Sequence, residues 1–151
     1  MDIITLDFET FYDSKNGYTL KKQTTQQYID DLRFQTIGVA VKVNDGKTES
    51  FSGMPDATKE WLLQYDWDNS AVCAHNALFD MTILSWRFDI RPFKILDTLS
   101  MARAIHGTKV GGSLKALAEF YNVGEKGDEV IMADGIRRTE FTETALAAYM
   151  S

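Results

Sequence analysis

The sequence predicts one α/β domain built on a mixed five-stranded sheet flanked by helices. Two observations support this class. Three strand patterns come first along the chain, and helices then alternate with two further strands, an order typical of a sheet with helices packed on it. A length of 151 residues suits a single hydrophobic core, and no repeat or linker divides the chain. The predicted domain therefore spans residues 1–151.

The strand patterns are short runs rich in β-branched and aliphatic residues. The first strand is predicted over residues 2–8 and the second over 35–43. Asn44-Asp45-Gly46 is a strong signal for a tight hairpin, which leads to a third strand near 47–52. The fourth strand, 70–75, and the fifth, 93–97, each lead into a helix.

Helices are predicted over 56–65 and 77–88, and from Thr98, Ser113 and Thr142 onward. Apolar spacing supports the first helix, and Ser and Thr are residue types that favour helix N-caps. Segments 11–34 and 122–141 lack periodicity, so we expect them to be irregular. The last helix is expected to run on at Ser151, which we interpret as a domain that is incomplete at its C-terminus.

Composition excludes several classes of protein. The chain is 44% hydrophobic and 25% charged, an ordinary globular mixture. A net charge of −6 argues against a protein that coats nucleic acid with a basic face, although cations between carboxylates and phosphates still permit binding. A single cysteine excludes an internal disulfide. No apolar run approaches a membrane span, and no signal peptide is evident, so we expect a cytoplasmic protein without a membrane partner.

Two carboxylates close the first strand. Side chains alternate along a strand, so Asp7 and Glu9 share one face while Leu6 and Phe8 point into the core. Two like charges at the end of a buried strand repel each other, and a hard divalent cation such as Mg²⁺ or Mn²⁺ relieves that repulsion. The alternative is an exposed acidic strand end that binds nothing, and Asp-x-Glu alone does not exclude it.

A second polar pair opens the helix after the fourth strand. Asn76 and Asp80 are one helical turn apart and therefore lie on one face near the helix N-terminus. There the Asn76 amide can bind a phosphate or sugar, and Asp80 can face Asp7 and Glu9. Alternatively, Asn76 only caps the helix and Asp80 only offsets its dipole.

Together these patterns resemble the DEDD exonuclease superfamily, whose members have an RNase H-like fold. Asp7-x-Glu9 and Asn76 to Asp80 resemble its first two motifs, Asp97-Thr98 its Asp-Thr pair, and Ser113 to Ala118 its Ser-Leu-x-x-Leu-Ala helix. The likeness covers nearly the whole chain. It is closest to the exonuclease domains of phage and bacterial family A DNA polymerases.

The resemblance implies two-metal hydrolysis of phosphodiester bonds at single-stranded DNA 3′ ends, releasing 5′-mononucleotides. One Mg²⁺ or Mn²⁺ is then held by Asp7, Glu9 and a fourth aspartate that falls beyond Ser151, and the second by Asp7 and Asp80. Tyr149 matches the tyrosine of the third motif and orients the nucleophile, since a phenol is a poor base at neutral pH. The implied context is proofreading beside a polymerase domain of the same parent chain, in a bacterial or phage-infected cell.

Substrate contacts are predicted around these carboxylates. Thr10 is expected to offer its backbone amide or hydroxyl to the terminal nucleotide. Phe11 and Phe79 are expected to stack on or separate the terminal bases, although Phe79 also suits the core. Four basic residues of the irregular segments are phosphate contacts or ordinary solvated surface: Lys21, Lys22, Arg137 and Arg138.

Two rival functions remain open from the sequence. An RNA-processing DEDD exonuclease uses the same carboxylates, which do not read the sugar. A catalytically silent module that binds nucleic acid predicts at least one broken motif, whereas Asp7, Glu9 and Asp80 are all present. Among the other polar residues, we assign structural roles to His75, which is expected to be packed, and to Asp97, which is expected to cap the following helix.

Overall fold

The computed structural model describes residues 1–124 and 133–150. They form a five-stranded sheet in the order β3-β2-β1-β4-β5, in which β1 pairs antiparallel with β2, β2 antiparallel with β3, and β4 parallel with both β1 and β5. The predicted mixed sheet is confirmed. The strands are β1 (Ile3–Thr10), β2 (Thr36–Val43), β3 (Thr48–Phe51), β4 (Ala71–Ala74) and β5 (Lys94–Asp97).

Six helices flank the sheet in the described residues. They are α1 (Thr25–Asp30), α2 (Pro55–Leu62), α3 (Ala77–Phe88), α4 (Thr98–His106), α5 (Leu114–Tyr121) and α6 (Glu143–Tyr149). The Ser113 and Thr142 side chains cap α5 and α6 as predicted, through the amides of Ala116 and Ala145. None of these helices combines the length and apolar character needed to span a bilayer.

The structure differs from the sequence prediction at two helices. Helix α1 lies inside the segment 11–34 that was expected to be irregular, and a reciprocal capping box between Thr24 and Gln27 opens it. Helix α6 ends at Tyr149, with Met150 as its C-cap, rather than running on. Of the predicted loop 122–141, residues 125–132 lie outside the described part of the chain, as does Ser151.

Strand β1 places the candidate site because its side chains alternate between core and surface. Ile4, Leu6 and Phe8 are 1–4% exposed, whereas Asp7 is exposed and Glu9 half-buried. The Phe8 ring stacks on Phe88 of α3, with ring centroids 5.7 Å apart. This contact packs the last turn of α3 against the core face of β1, and a hydrogen bond from the Phe8 amide to Asp80 holds the first turn of α3 near the end of that strand.

Gly38 lets helix α6 approach the other side of β1. It lies opposite Glu9 in the β1–β2 register. A Cβ at this position would collide with the end of the Met150 side chain and lie 3.0 Å from the Phe51 carbonyl oxygen. The absence of a side chain at Gly38 therefore allows Met150, and Tyr149 before it, to lie beside Glu9.

Candidate active site

Asp80 lies beneath the end of β1. It is only 3% exposed, and its Oδ1 accepts a hydrogen bond from the Phe8 amide at 2.9 Å. Burial, with smaller contributions from the negative charges of Asp7 and Glu9, raises the pKa of the Asp80 carboxyl to about 7, although the Phe8 hydrogen bond acts in the opposite direction. The three acidic side chains named from the sequence therefore share one electrostatic environment.

Tyr149 reaches the same place from α6. Its side chain is 8% exposed, and its ring stacks on Phe141 with centroids 5.4 Å apart. Burial and the neighbouring negative charge of Glu9 raise the pKa of Tyr149 above its ordinary value, and the phenol is hydrogen-bonded to Glu9. A phenol that stays protonated donates this hydrogen bond to the Glu9 carboxylate.

The chemistry of these groups fits a hard divalent cation. All candidate ligands are carboxylate oxygens, and their mutual repulsion is part of the reason why the pKa of Asp80 is raised. In residues 1–124 and 133–150, however, no three His, Cys, Asp or Glu side chains are grouped as the ligands of one ion. The argument that these residues suit a divalent cation therefore rests on their carboxylate oxygens and on the repulsion between the carboxylates.

A cleft of about 600 Å³ opens beside Glu9. This volume lies within the range of small-molecule binding sites. Phe79 of α3 and Tyr149 of α6 line it, and the remaining walls come from the end of β1, the segment before α1, α1 itself and residue 134: Phe8, Thr10, Tyr12, Ser14, Thr19, Leu20, Lys21, Tyr28 and Asp134. Asp7 instead lines a neighbouring cleft of about 230 Å³, to which Glu9 and Tyr149 also contribute.

The residues next to Glu9 are placed differently from one another. The Thr10 side chain is buried, and its hydroxyl lies 2.8 Å from the Tyr28 hydroxyl, so it is engaged within the protein. Phe11 was expected to contact bases, but it is 5% exposed and stacks on Tyr18 in the core. This expectation is corrected, because a buried ring offers no face to a ligand. Phe79 is half-buried and does line the cleft.

Asn76 adopts a left-handed backbone conformation, with φ 65° and ψ 54°, as the N-cap of α3. Its side chain makes no capping hydrogen bond, so the alternative that its amide caps the helix is wrong. Asparagine is among the few residue types that adopt this conformation readily. The side chain is exposed and remains accessible to a ligand.

Asp97 joins the beginnings of α3 and α4. Its Oδ1 accepts hydrogen bonds from the Leu99 amide at 3.1 Å, which confirms the predicted cap of α4, and from the Asn76 and Ala77 amides at 2.9 and 3.2 Å. Its Oδ2 accepts the Ser100 hydroxyl at 2.6 Å. The carboxylate therefore fixes the turn from which α3 carries Asp80.

His75 is packed, as predicted. Its Nδ1 lies 2.9 Å from the Thr98 hydroxyl, and its Nε2 lies 2.8 Å from the Gly112 carbonyl oxygen. Both ring nitrogens are thus engaged in joining β4 to α4 and to the turn before α5. This arrangement supports a structural role for the imidazole.

The four basic residues named from the sequence separate into two groups. The Arg137 guanidinium lies 3.7 Å from the centre of the Phe11 ring and donates to the Arg33 carbonyl oxygen at 2.8 Å. Arg138 contacts the Met54 sulfur at 3.2 Å. These two arginines are held by the protein itself. Lys21 lines the cleft, and Lys22 is not among the residues that line it.

Six lining residues were not identified from the sequence: Tyr12, Ser14, Thr19, Leu20, Tyr28 and Asp134. Tyr28 lies on the overlooked helix α1, and the Thr24–Gln27 capping box is the signal that would have placed it. Tyr12 follows the Asp-x-Glu motif directly, in a segment without periodicity. Asp134 reaches the cleft because its Oδ1 accepts a hydrogen bond from the Ser14 amide at 2.8 Å, a long-range contact that no local sequence pattern predicts.

Solved structures of nucleases and of a polymerase share this fold. NrnC of Brucella melitensis bound to pGG matches with a TM-score of 0.63 and 17% identity, over 96% of this chain and 63% of that one. RNase D of Trypanosoma brucei in complex with RNA U12 gives a TM-score of 0.66 and 16% identity, over 99% and 50%. The family B DNA polymerase of the hyperthermophilic archaeon Pyrobaculum calidifontis gives 0.64 and 15%, over 99% and 22%.

These likenesses confirm the RNase H-like fold that the sequence resemblance implied. The chain spans less than two thirds of each of these three proteins. They do not support a particular closeness to family A polymerases. No protein-family model matches the chain, and no curated protein shows significant sequence similarity to it.

Proposed function

We propose that the chain is a 3′→5′ exonuclease domain that hydrolyses phosphodiester bonds at single-stranded 3′ ends and releases 5′-mononucleotides. One observation carries this proposal: the buried Asp80 carboxylate lies in the same electrostatic environment as Asp7 and Glu9, with the Glu9–Tyr149 hydrogen bond beside a cleft. Perturbed titratable groups beside a cleft are a common mark of a catalytic centre.

The side chains have distinct roles in this proposal. Asp7, Glu9 and Asp80 hold two Mg²⁺ or Mn²⁺ ions, which when bound supply an activated water and stabilise the charge that develops during phosphoryl displacement. The Phe8 amide holds Asp80 in place, and Tyr149 donates to Glu9 and fixes its orientation. Phe79 offers an aromatic face to the terminal base, and the exposed Asn76 amide is placed to bind a phosphate or sugar.

We assign DNA as the substrate and proofreading as the role. In this proposal the domain belongs to a cytoplasmic polypeptide that also carries a polymerase domain. The resemblance of the motifs to polymerase exonuclease domains supports this assignment. RNA is a second candidate, and a specific observation favours it: RNase D in complex with RNA U12 shares the fold. A silent binding module is less well supported, because Asp7, Glu9 and Asp80 are intact.

A degradation assay tests the proposal. Single-stranded DNA and RNA of one sequence, labelled at the 5′ end, are incubated with the chain and Mn²⁺ or Mg²⁺, and we expect a ladder that shortens from the 3′ end. Asp7→Ala should abolish the ladder and weaken Mn²⁺ binding in a calorimetric titration. Asp45→Ala is the matched control, because Asp45 is an exposed carboxylate in the turn between β2 and β3.

The same variant separates catalysis from folding. Asp7 is exposed, and its charge raises the pKa of Asp80, so its removal relieves repulsion. Asp7→Ala should therefore melt no earlier than the wild type in EDTA. Earlier melting would give Asp7 a structural role. Shortening from the 5′ end, or equal activity of the Asp7 and Asp45 variants, would refute the proposed function, and the faster of the DNA and RNA ladders identifies the substrate.

A further inference from the structure

We propose that the segment Thr19–Lys21, just before α1, is a strand-binding arm, in which Lys21 pairs with a phosphodiester of the bound strand and Leu20 contacts a base. This inference rests on the proposed function, because it concerns the ligand of the same cleft. It adds a second contact that does not depend on metal ions.

The arm is fixed from behind by Tyr18. This side chain is fully buried, and its ring lies parallel to that of Tyr28, with centroids 4.5 Å apart. Asp13 and Tyr18 exchange two backbone hydrogen bonds, at 2.8 and 2.9 Å. The Thr19 carbonyl oxygen then accepts the amides of residues 22 and 23, which closes a turn. A segment held in this way loses little further conformational freedom when a ligand binds.

Lys21 provides the charge that the cleft otherwise lacks. Among the cleft-lining residues in the described ranges, it is the one cation, and Glu9 and Asp134 are the acids. A strand that enters the cleft meets carboxylates that repel its phosphates. An ammonium group on a flexible stem binds a phosphate as a point charge and requires no fixed orientation. Lys21 therefore offsets the repulsion at the place where the strand must pass.

Leu20 provides an apolar surface next to that charge. Its side chain is 46% exposed although it lines the cleft, and the aromatic side chains of Tyr12 and Phe79 line the same cleft. Bases present flat faces that bind aromatic and apolar surfaces without regard to sequence. Leu20 and these rings together offer a base an apolar environment, while Lys21 takes a phosphate.

The adjacent lysine offers a matched control. Lys22 is exposed but is not among the cleft-lining residues. Its Cδ lies 3.9 Å from the position that a Cβ would take on Gly17, so this part of the side chain lies next to that glycine. Lys21 and Lys22 therefore carry the same charge at neighbouring positions, and the proposal gives a role to Lys21 alone.

Fluorescence anisotropy of a single-stranded oligonucleotide labelled at its 5′ end tests the arm in EDTA, where no turnover occurs. Lys21→Met should raise Kd about fivefold and reduce the slope of log Kd against log salt by about 0.7, the value for one phosphate contact on a single strand. Lys21→Arg should retain affinity, and Lys22→Met should leave both quantities unchanged. Leu20→Ala should weaken binding of a normal strand but not of one with abasic 3′ nucleotides, whereas Lys21→Met should weaken both.

The outcomes separate the arm from the proposed function. Equal affinities and salt slopes for the Lys21 and Lys22 variants, in chains with unchanged thermal melts, would overturn the arm and leave the exonuclease proposal intact. An effect of Leu20→Ala that persists on the abasic strand would overturn the base contact. Failure of the wild-type chain to bind or degrade any single strand would refute the proposed function and the arm with it.

Discussion

Burial of Asp80 beside two other carboxylates predicts a stability penalty at neutral pH, which Asp80→Asn should remove. In the folded, metal-free chain the pKa of Asp80 is raised from 3.8 to about 7, chiefly by burial. Between these values the folded state keeps a proton that the unfolded state releases. The stabilisation due to protonated Asp80 is therefore complete below about pH 4, is lost progressively as the pH rises from about 4 to about 7, and is fully lost above that.

The magnitude follows from the size of the shift. A difference of about three pKa units corresponds to about 4 kcal/mol in the free energy of unfolding, or about 10 °C in Tm for a domain of this length. Asparagine keeps a side-chain oxygen that can accept the Phe8 amide, but it cannot ionise. Its amide nitrogen adds a buried donor whose cost of about 1–3 kcal/mol does not vary with pH. The test is therefore a comparison at pH 4.5 and pH 8.5. At each pH we take the free energy of unfolding of the wild type minus that of Asp80→Asn, and the change in this difference is informative.

Urea denaturation of both chains across this range, in EDTA, measures that change. Relative to Asp80→Asn, the wild type should lose about 3 kcal/mol between the two ends, because the remainder of the loss has already occurred at pH 4.5. Asp7→Asn should reduce the loss, because the charge of Asp7 contributes to the raised pKa. Mg²⁺ or Mn²⁺ added at pH 8 should stabilise the wild type more than Asp80→Asn, since a ligand stabilises the state that binds it.

One result refutes this reasoning. If the stability difference between wild type and Asp80→Asn is constant from pH 4.5 to 8.5, the Asp80 carboxylate does not pass from neutral to charged in this range. Burial and the charges of Asp7 and Glu9 would then not raise the pKa of Asp80 in solution. The electrostatic argument for a cation at the end of β1 would fail with it.

Two further substitutions test the contacts that position the site. Gly38→Ala should lower the free energy of unfolding by about 1–2 kcal/mol in urea denaturation, because the new methyl group meets Met150. The double variant with Met150→Ala should recover part of this loss. If the effects of the two substitutions simply add, the close approach of α6 is contradicted. Asp97→Ala should cost about 2 kcal/mol in the same assay, and Asp97→Asn less because it keeps an oxygen acceptor; equal losses would mean that the accepted hydrogen bonds contribute nothing.

The parts of the fold that depend on local pattern were predictable. Strand β1 alternates between apolar and polar residues, and Asn44-Asp45-Gly46 connects β2 to β3, so neither required knowledge of distant contacts. The sequence also predicted that the three carboxylates face one another, because the end of a strand and the first turn of a helix each fix where a side chain points. Their shared electrostatic environment in the structure is consistent with that reasoning.

What the sequence did not disclose depends on long-range packing. Phe11 follows the Asp-x-Glu motif as an exposed ligand-binding ring would, yet Tyr18 stacks on it and Arg137 covers it from far along the chain. The left-handed backbone at Asn76 is held by the Asp97 carboxylate, a contact between two strand ends that neither local sequence predicts. Asp134 reaches the cleft wall for the same kind of reason.

The hydrogen bond between Glu9 and Tyr149 also bears on the order in which this protein becomes functional. It joins the first strand to the last described helix, so a nascent chain on the ribosome can form most of the sheet while this bond is still absent. Contacts of such long sequence separation form late and slowly. The arrangement of Glu9 and Tyr149 at the candidate site should therefore be completed as one of the final events of folding, after the bulk of the secondary structure has formed.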